Sequence, residues 1–132
     1  MTVEGDPLIA PDDRTWEEQV ERSEKPVLVM FFSPTCPHCR TMEPVFRQFA
    51  GEFEGVVTFA RIDITSNPWT AERYAVRSTP TFALFCSGKL FQVLVGAVYP
   101  ALLKRMVEEG LASGKECTGK STTISYDITG YG

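Results

Sequence analysis

Residues 26–40, Pro-Val-Leu-Val-Met-Phe-Phe-Ser-Pro-Thr-Cys-Pro-His-Cys-Arg, place a cysteine pair directly behind an apolar run. Residues 27–32, VLVMFF, are apolar at every position, which suits a central strand covered on both faces. The pair Cys36 and Cys39, spaced C-x-x-C, is open to three readings: half of a zinc site, half of a disulfide framework, or a reactive dithiol.

The rest of the chain narrows that choice. Its four cysteines are Cys36, Cys39, Cys86 and Cys117. A disulfide-stapled secreted domain would be shorter and denser in cysteine, and a zinc ribbon needs a second close C-x-x-C, which is missing. Cys86 is expected to be an isolated thiol and Cys117 an inert one in a tail. A chain of 132 residues suits one domain with a core that needs no staples. Its net charge of -4 and lack of a Lys/Arg run argue against nucleic acid or an anionic membrane as partner. The first twenty residues carry no basic start and no apolar core, so no signal peptide is expected and a soluble, cytoplasmic monomer is.

Working outward, Leu8-Ile9-Ala10 suits an edge strand. Asp12 or Asp13 should open a helix with Trp16 and Val20 on one face. Behind the dithiol, Met42, Val45, Phe46, Phe49 and Phe53 form the stripe of an amphipathic helix that Pro44 should kink rather than end. Residues 56–64, VVTFARIDI, read as a buried strand, and Asn67-Pro68 as an N-cap and first residue of a short helix. TFALFC and LFQVLV, joined by Ser87-Gly88-Lys89, form a hairpin. Gly96 ends it, and Pro100 opens a helix with Leu102, Leu103, Met106, Val107 and Leu111 on one side. Trp16 and Trp69 are assigned to packing, and the acidic residues 17–24 to a solvated face. The order β-α-β-α-β-α-β-β-α predicts an α/β sheet flanked by helices on both faces. Residues 1–112 form the domain and 113–132, rich in Gly, Ser and Thr, a tail that could add a strand.

The thiolate is the reactive form of cysteine, so pKa decides which reading holds. With a strand ending near Phe32 and a helix starting near Cys36, the Cys36 sulfur meets free N–H groups and the positive end of the helix dipole. Pro37 at the first helical position has no N–H to lose. Cys39, one turn in, can attack a mixed disulfide formed at Cys36. His38 and Arg40 should lower the Cys36 pKa further, and a lower thiolate pKa makes the disulfide more oxidising. Glu43, one turn past Cys39, is a candidate proton acceptor.

Together, PVLVMFFSPTCPHCRTMEPVF, ARIDITSNPWTAERYAVRSTPTFALFCSGKL and VLVGA resemble the thioredoxin superfamily over about residues 8–112. The likeness rests on the dithiol, Pro44 five residues after Cys39, Asn67-Pro68, Thr79-Pro80-Thr81 and Val95-Gly96-Ala97. It implies a thioredoxin fold with a central mixed sheet, Cys36 as nucleophile and Cys39 as buried resolver. It further implies a cis Pro80 facing the dithiol and a substrate groove formed by Thr35, Thr79, Pro80, Gly96 and Ala97, in which the Thr79 backbone pairs with the bound chain. The implied activity is thiol–disulfide exchange on protein dithiols and disulfides. The implied partner is a thioredoxin-reductase-like or glutathione system, with no cofactor beyond the cysteines. Departures accompany the likeness. The family's buried aspartate falls at Met30, its accompanying basic residue at Arg61, and its paired tryptophans at Phe32 and Thr35. Pro37-His38 is the dipeptide of DsbA-type oxidases, although the chain has no room for their helical insertion. Thr79 is similar to the residue found in disulfide isomerases.

Two other classes compete. Cys36, Cys39 and His38 could ligate zinc or, across a dimer, an iron–sulfur cluster, but no closed four-ligand set exists in one chain, and no metal is expected. A non-catalytic interaction module would have no need for both cysteines and Thr79-Pro80.

Overall fold

The computed structural model describes residues 7–113. Five strands, β1 (Leu8–Ile9), β2 (Val27–Phe32), β3 (Thr58–Asp63), β4 (Thr81–Cys86) and β5 (Lys89–Val95), alternate with three helices, α1 (Pro37–Glu52), α2 (Pro68–Arg73) and α3 (Pro100–Ser113). The strands form one sheet in the order β1-β3-β2-β4-β5. Both β1 and β2 run parallel to β3, whereas β4 is antiparallel to β2 and β5. This is the α/β sheet that the pattern of elements predicts, with the mixed strand directions that the family resemblance implies.

Strand β2 lies between β3 and β4 and explains its own composition. Leu28 and Met30 point into a core cluster with Met42, Phe46 and Phe49 of α1 and Leu103, Met106 and Val107 of α3. Val27, Val29 and Phe31 point the other way, into a cluster with Trp16, Val20 and Phe85. Both faces are dry, so alternation would leave polar side chains without water; each large apolar side chain buried here contributes about 1.5–3 kcal/mol.

Helix α1 runs unbroken through Pro44. Pro44 is exposed, so its ring sits on the solvent side while Met42, Phe46, Phe49 and Ala50 face the core. The β4–β5 turn is tight. Ser87 and Gly88 have φ of 51° and 81°, and Lys89 already belongs to β5. A Cβ on Gly88 would run into the Glu21 backbone, so this glycine is required for both conformation and space.

Several local expectations change. The first helical segment is a single π-helical turn, Glu17–Glu21, preceded by a turn that the Asp12 carboxylate closes by accepting from the Arg14 and Thr15 amides. Trp16 and Val20 are buried as expected. Asn67 occupies the N-cap position of α2, but its side chain does not cap. Its amide instead donates to the Asp63 carbonyl, and its oxygen accepts from the Asp13 amide. Asp13 does the capping from across the chain, accepting from the amides of Trp69 and Thr70 and from the Thr70 hydroxyl. Trp69 is 69% exposed and does not pack, because it sits in the first turn of α2 on the solvent side. Leu102 is likewise exposed on α3, and Gly110 takes a place in the buried face. Ser113, expected to begin the tail, is the last residue of α3, and residues 114–132 lie outside the described residues.

Candidate active site

Strand β2 delivers the chain to the end of the sheet at Phe32, and a turn closed by the Cys36 amide donating to the Ser33 carbonyl brings it into α1. Cys36 is the N-cap of α1, in an extended conformation (φ -88°, ψ 115°) with Pro37 as the first helical residue. Its sulfur acts as the capping group, accepting from the Cys39 amide at 3.2 Å. A side-chain acceptor in that position satisfies one of the orphan N–H groups of the helix. Here the acceptor is one sulfur of the C-x-x-C pair.

The Cys36 thiol also donates to the Thr79 carbonyl at 3.5 Å, which brings the β4 entrance against the dithiol. The Thr79–Pro80 peptide bond is cis. Pro80 is buried, and its carbonyl accepts from the Gly96 amide at 2.8 Å. Gly96 adopts φ 97°, where a side chain would be strained, and it turns the chain out of β5 past the same loop. Thr35, Pro37 and Ala97 are exposed nearby in sequence. The fold thus brings together Cys36, Cys39, Thr79, Pro80 and Gly96 from three separate parts of the chain.

The two sulfurs titrate in opposite directions. Burial pushes Cys36 up, but hydrogen bonds from Cys39, from Thr79 and from the Cys39 and His38 amides outweigh it and bring the thiol below its usual range. Burial pushes Cys39 up, and the neighbouring Cys36 sulfur adds to the rise. The two environments therefore favour the thiolate more at Cys36 than at Cys39. The contribution of His38 differs in kind from the expected one, since it comes through its backbone N–H. Its side chain is exposed.

Glu43 lies one turn beyond Cys39, and its carboxylate is held in ion pairs with Arg47 at 3.0 Å and Arg61 at 3.4 Å. Arg61 pairs in register with Met30 and lays its guanidinium 4.3 Å from the Phe32 ring centroid. Its Nε is buried without a hydrogen-bond partner among the described residues. Met30 itself is fully buried in the core. The ionic group behind the dithiol is thus a Glu43–Arg47–Arg61 cluster at half-buried positions. The i,i+4 spacing of Glu43 and Arg47 was the one sequence signal for it.

Among the described residues no group of three His, Cys, Asp or Glu side chains is arranged to hold a metal ion, and no helix is long and apolar enough to cross a membrane. Cys86 departs from the isolated thiol expected of it: it is buried at the end of β4 and disulfide-bonded. Cys117 lies outside the described residues.

A dithiol at a helix N-terminus, faced by a cis-proline loop at the end of the central strands of a mixed five-stranded sheet, defines the class of thioredoxin-fold dithiol proteins. The sequence comparisons agree, since the family model for thioredoxin matches residues 8–109. The chain belongs to the thioredoxin family. It is 37% identical over 99 residues to "Thioredoxin M4, chloroplastic" of Arabidopsis thaliana, an alignment covering 75% of this chain and 51% of that protein. It is 35% identical over 99 residues to "Thioredoxin 1" of Nostoc sp., covering 75% of this chain and 92% of that one. A thioredoxin of Synechocystis sp. is 37% identical over the same length, with the same coverage. The chain therefore spans about half the length of the Arabidopsis relative and nearly all of the two cyanobacterial ones.

Proposed function

We propose that the protein is a thiol–disulfide oxidoreductase acting on protein disulfides and dithiols. The observation that carries this reading is the split between the two sulfurs, with Cys36 lowered at the helix N-terminus and Cys39 raised behind it. In the reducing direction the Cys36 thiolate attacks a substrate disulfide, forming a mixed disulfide and releasing one substrate thiolate. Cys39 then loses its proton and attacks Cys36, releasing the second substrate thiol and leaving a Cys36–Cys39 disulfide. The reverse sequence oxidises a dithiol.

In this reading the substrate chain lies along Thr79 and pairs with its backbone as an added strand, bordered by Thr35, Pro80, Gly96 and Ala97. The exposure of Thr35, next to the nearly buried Cys36, and of Ala97, next to the Gly96 that bonds to Pro80, supports that placement. Glu43 takes the Cys39 proton, through water, from within its ion pairs. The expected sign is a slower resolving step in Glu43→Gln, by at least about tenfold. An unchanged pH profile in that variant would remove Glu43 from the mechanism.

The finer part of the proposal is a couple more oxidising than thioredoxin, set at Pro37-His38. A lowered Cys36 supports it, because stabilising the thiolate stabilises the reduced form, and a tenfold shift in the equilibrium constant corresponds to about 30 mV. A redox titration against glutathione tests it: a potential matching thioredoxin's would leave His38 without an electronic role. A cytoplasmic setting with a thioredoxin-reductase-like or glutathione partner goes with the reading as its default. The activity itself is tested by reduction of insulin in the presence of dithiothreitol. The wild type should accelerate it and Cys36→Ser should not; equal rates would refute the oxidoreductase reading.

A further inference from the structure

Helix α3 packs on β4 and β5 from one side of the sheet. On the other side the sheet is only partly covered. Small side chains there, Thr81 and Ala83 of β4, lie beside Leu90, Val93 and Val95 of β5, and residues 74–78 arch over them. Between this floor and the arch is a cleft of about 170 Å³ with a mainly apolar lining. Leu90 and Val93 are half-buried and Val95 is exposed, so apolar surface is left open to water along β5.

The arch is fixed at both ends. Tyr74 accepts a hydrogen bond from Trp16 Nε1 at 3.2 Å, and its hydroxyl donates to the Glu21 carboxylate at 3.3 Å. At the other end the Thr81 hydroxyl donates to the Ser78 carbonyl at 2.8 Å. The cleft is thus pre-formed, as binding pockets usually are. Its place in the fold shows what it adjoins. Ser78 and Thr81 line it and bracket Thr79–Pro80. Val95 pairs in register with Thr81 and precedes the Gly96 whose amide bonds to Pro80. The volume is below the roughly 300–1,000 Å³ of pockets that enclose a whole small molecule. It is close to the size, about 150 Å³, that holds a benzene-sized apolar group, and so suits one side chain. Arg77, on the arch, is exposed and makes no ion pair among the described residues.

We propose that the cleft is a specificity pocket for protein substrates. It takes one apolar side chain next to the substrate's reactive cysteine, while Arg77 meets an acidic side chain of the same polypeptide. This role rests on the oxidoreductase reading and names the substrates that the site favours. A chain paired with the Thr79 backbone turns successive side chains to opposite sides. With its cysteine at Cys36, the residues flanking that cysteine turn away from the dithiol, and the cleft opens on the sheet face opposite α1. Burial of one apolar side chain there is enough to rank substrates that share the same disulfide chemistry.

Reduction of synthetic disulfide peptides by the full chain tests this. Two peptides carry one internal disulfide and differ only in the residues flanking its cysteines, Leu in one and Ser in the other. The KM for the Leu peptide should be about tenfold lower. Val93→Phe, which fills the cleft, should erase that difference and leave the rate with bis(2-hydroxyethyl) disulfide unchanged. Where Val93→Phe fails to fold, Val93→Ala decides: its wider cleft should favour Phe-flanked over Leu-flanked peptides, and an unaltered preference would count against the pocket. Glu beside the Leu should lower KM about threefold relative to Gln, and Arg77→Gln should cancel that gain; a gain that persists would remove Arg77 from the pocket. Equal KM values for the Leu and Ser peptides in the wild type, or a preference that survives Val93→Phe, would overturn the pocket. Equal values in a wild type that sediments as a dimer, which Val93→Phe splits, would assign the cleft to a second copy instead. A wild type that reduces none of these disulfides would sink the oxidoreductase reading and the pocket with it.

Discussion

Cys36 and Cys39 share one side-chain chemistry and one helical turn, yet their environments push them apart. The lowering of Cys36 draws on the Cys39 and Thr79 side chains, the second of them remote in sequence, and on the amides of a formed helix terminus. Alkylation of the reduced protein by iodoacetamide should follow a midpoint below the ordinary cysteine value at Cys36, with Cys39 reacting only above it. Folding linkage has the matching sign. Stability from the lowered Cys36 is present above the unfolded thiol pKa and is lost as pH falls through its folded value. Stability from the raised Cys39 is present below the unfolded pKa and is lost as pH rises through its folded value. Equal midpoints at the two sulfurs would contradict the assignment of roles. Spacing alone singled out the pair, and the missing second C-x-x-C together with the family resemblance made it a dithiol. The cause of the shift was not legible: sequence proximity pointed to the His38 imidazole and to Arg40, whereas the helix terminus uses the His38 amide.

At the level of elements, short-range patterns translated well and long-range partners did not. The apolar stripe of α1 survives Pro44, and the hairpin turns at Ser87-Gly88 as its composition suggests. The start of α2 shows where local reading stops. Asn67-Pro68 has the composition of a cap, but the cap is Asp13, 57 residues from Thr70. No periodicity or turn signal encodes such a partner, because it exists only once the segment before β2 lies against α2. The same bonds tie that segment to α2, so Asp13 serves two elements. Asp13→Ala should lower stability by about 1 kcal/mol, up to 2, measured by urea unfolding of the reduced protein. A loss within 0.3 kcal/mol or so would mean that Asn67 takes over the cap.

Across the whole molecule, β2 does two jobs with one run of residues. Its alternating side chains fill both core clusters, and its end sets the position from which α1 presents Cys36. The fold was legible for that reason: a strand apolar at every position allows few places in a sheet, and the elements around it followed in order. The approach of Thr79-Pro80 and Gly96 to the dithiol is a product of sheet closure, and only the family resemblance anticipated it. The central claim is that this closure makes Cys36 the attacking sulfur and Cys39 the resolving one. Trapping tests it most directly: Cys39→Ser, reduced and mixed with insulin, should accumulate a mixed disulfide that peptide mapping assigns to Cys36, while Cys36→Ser accumulates none. A stable adduct on Cys39 in the Cys36→Ser protein, or no adduct on Cys36 in the Cys39→Ser protein, would contradict the account.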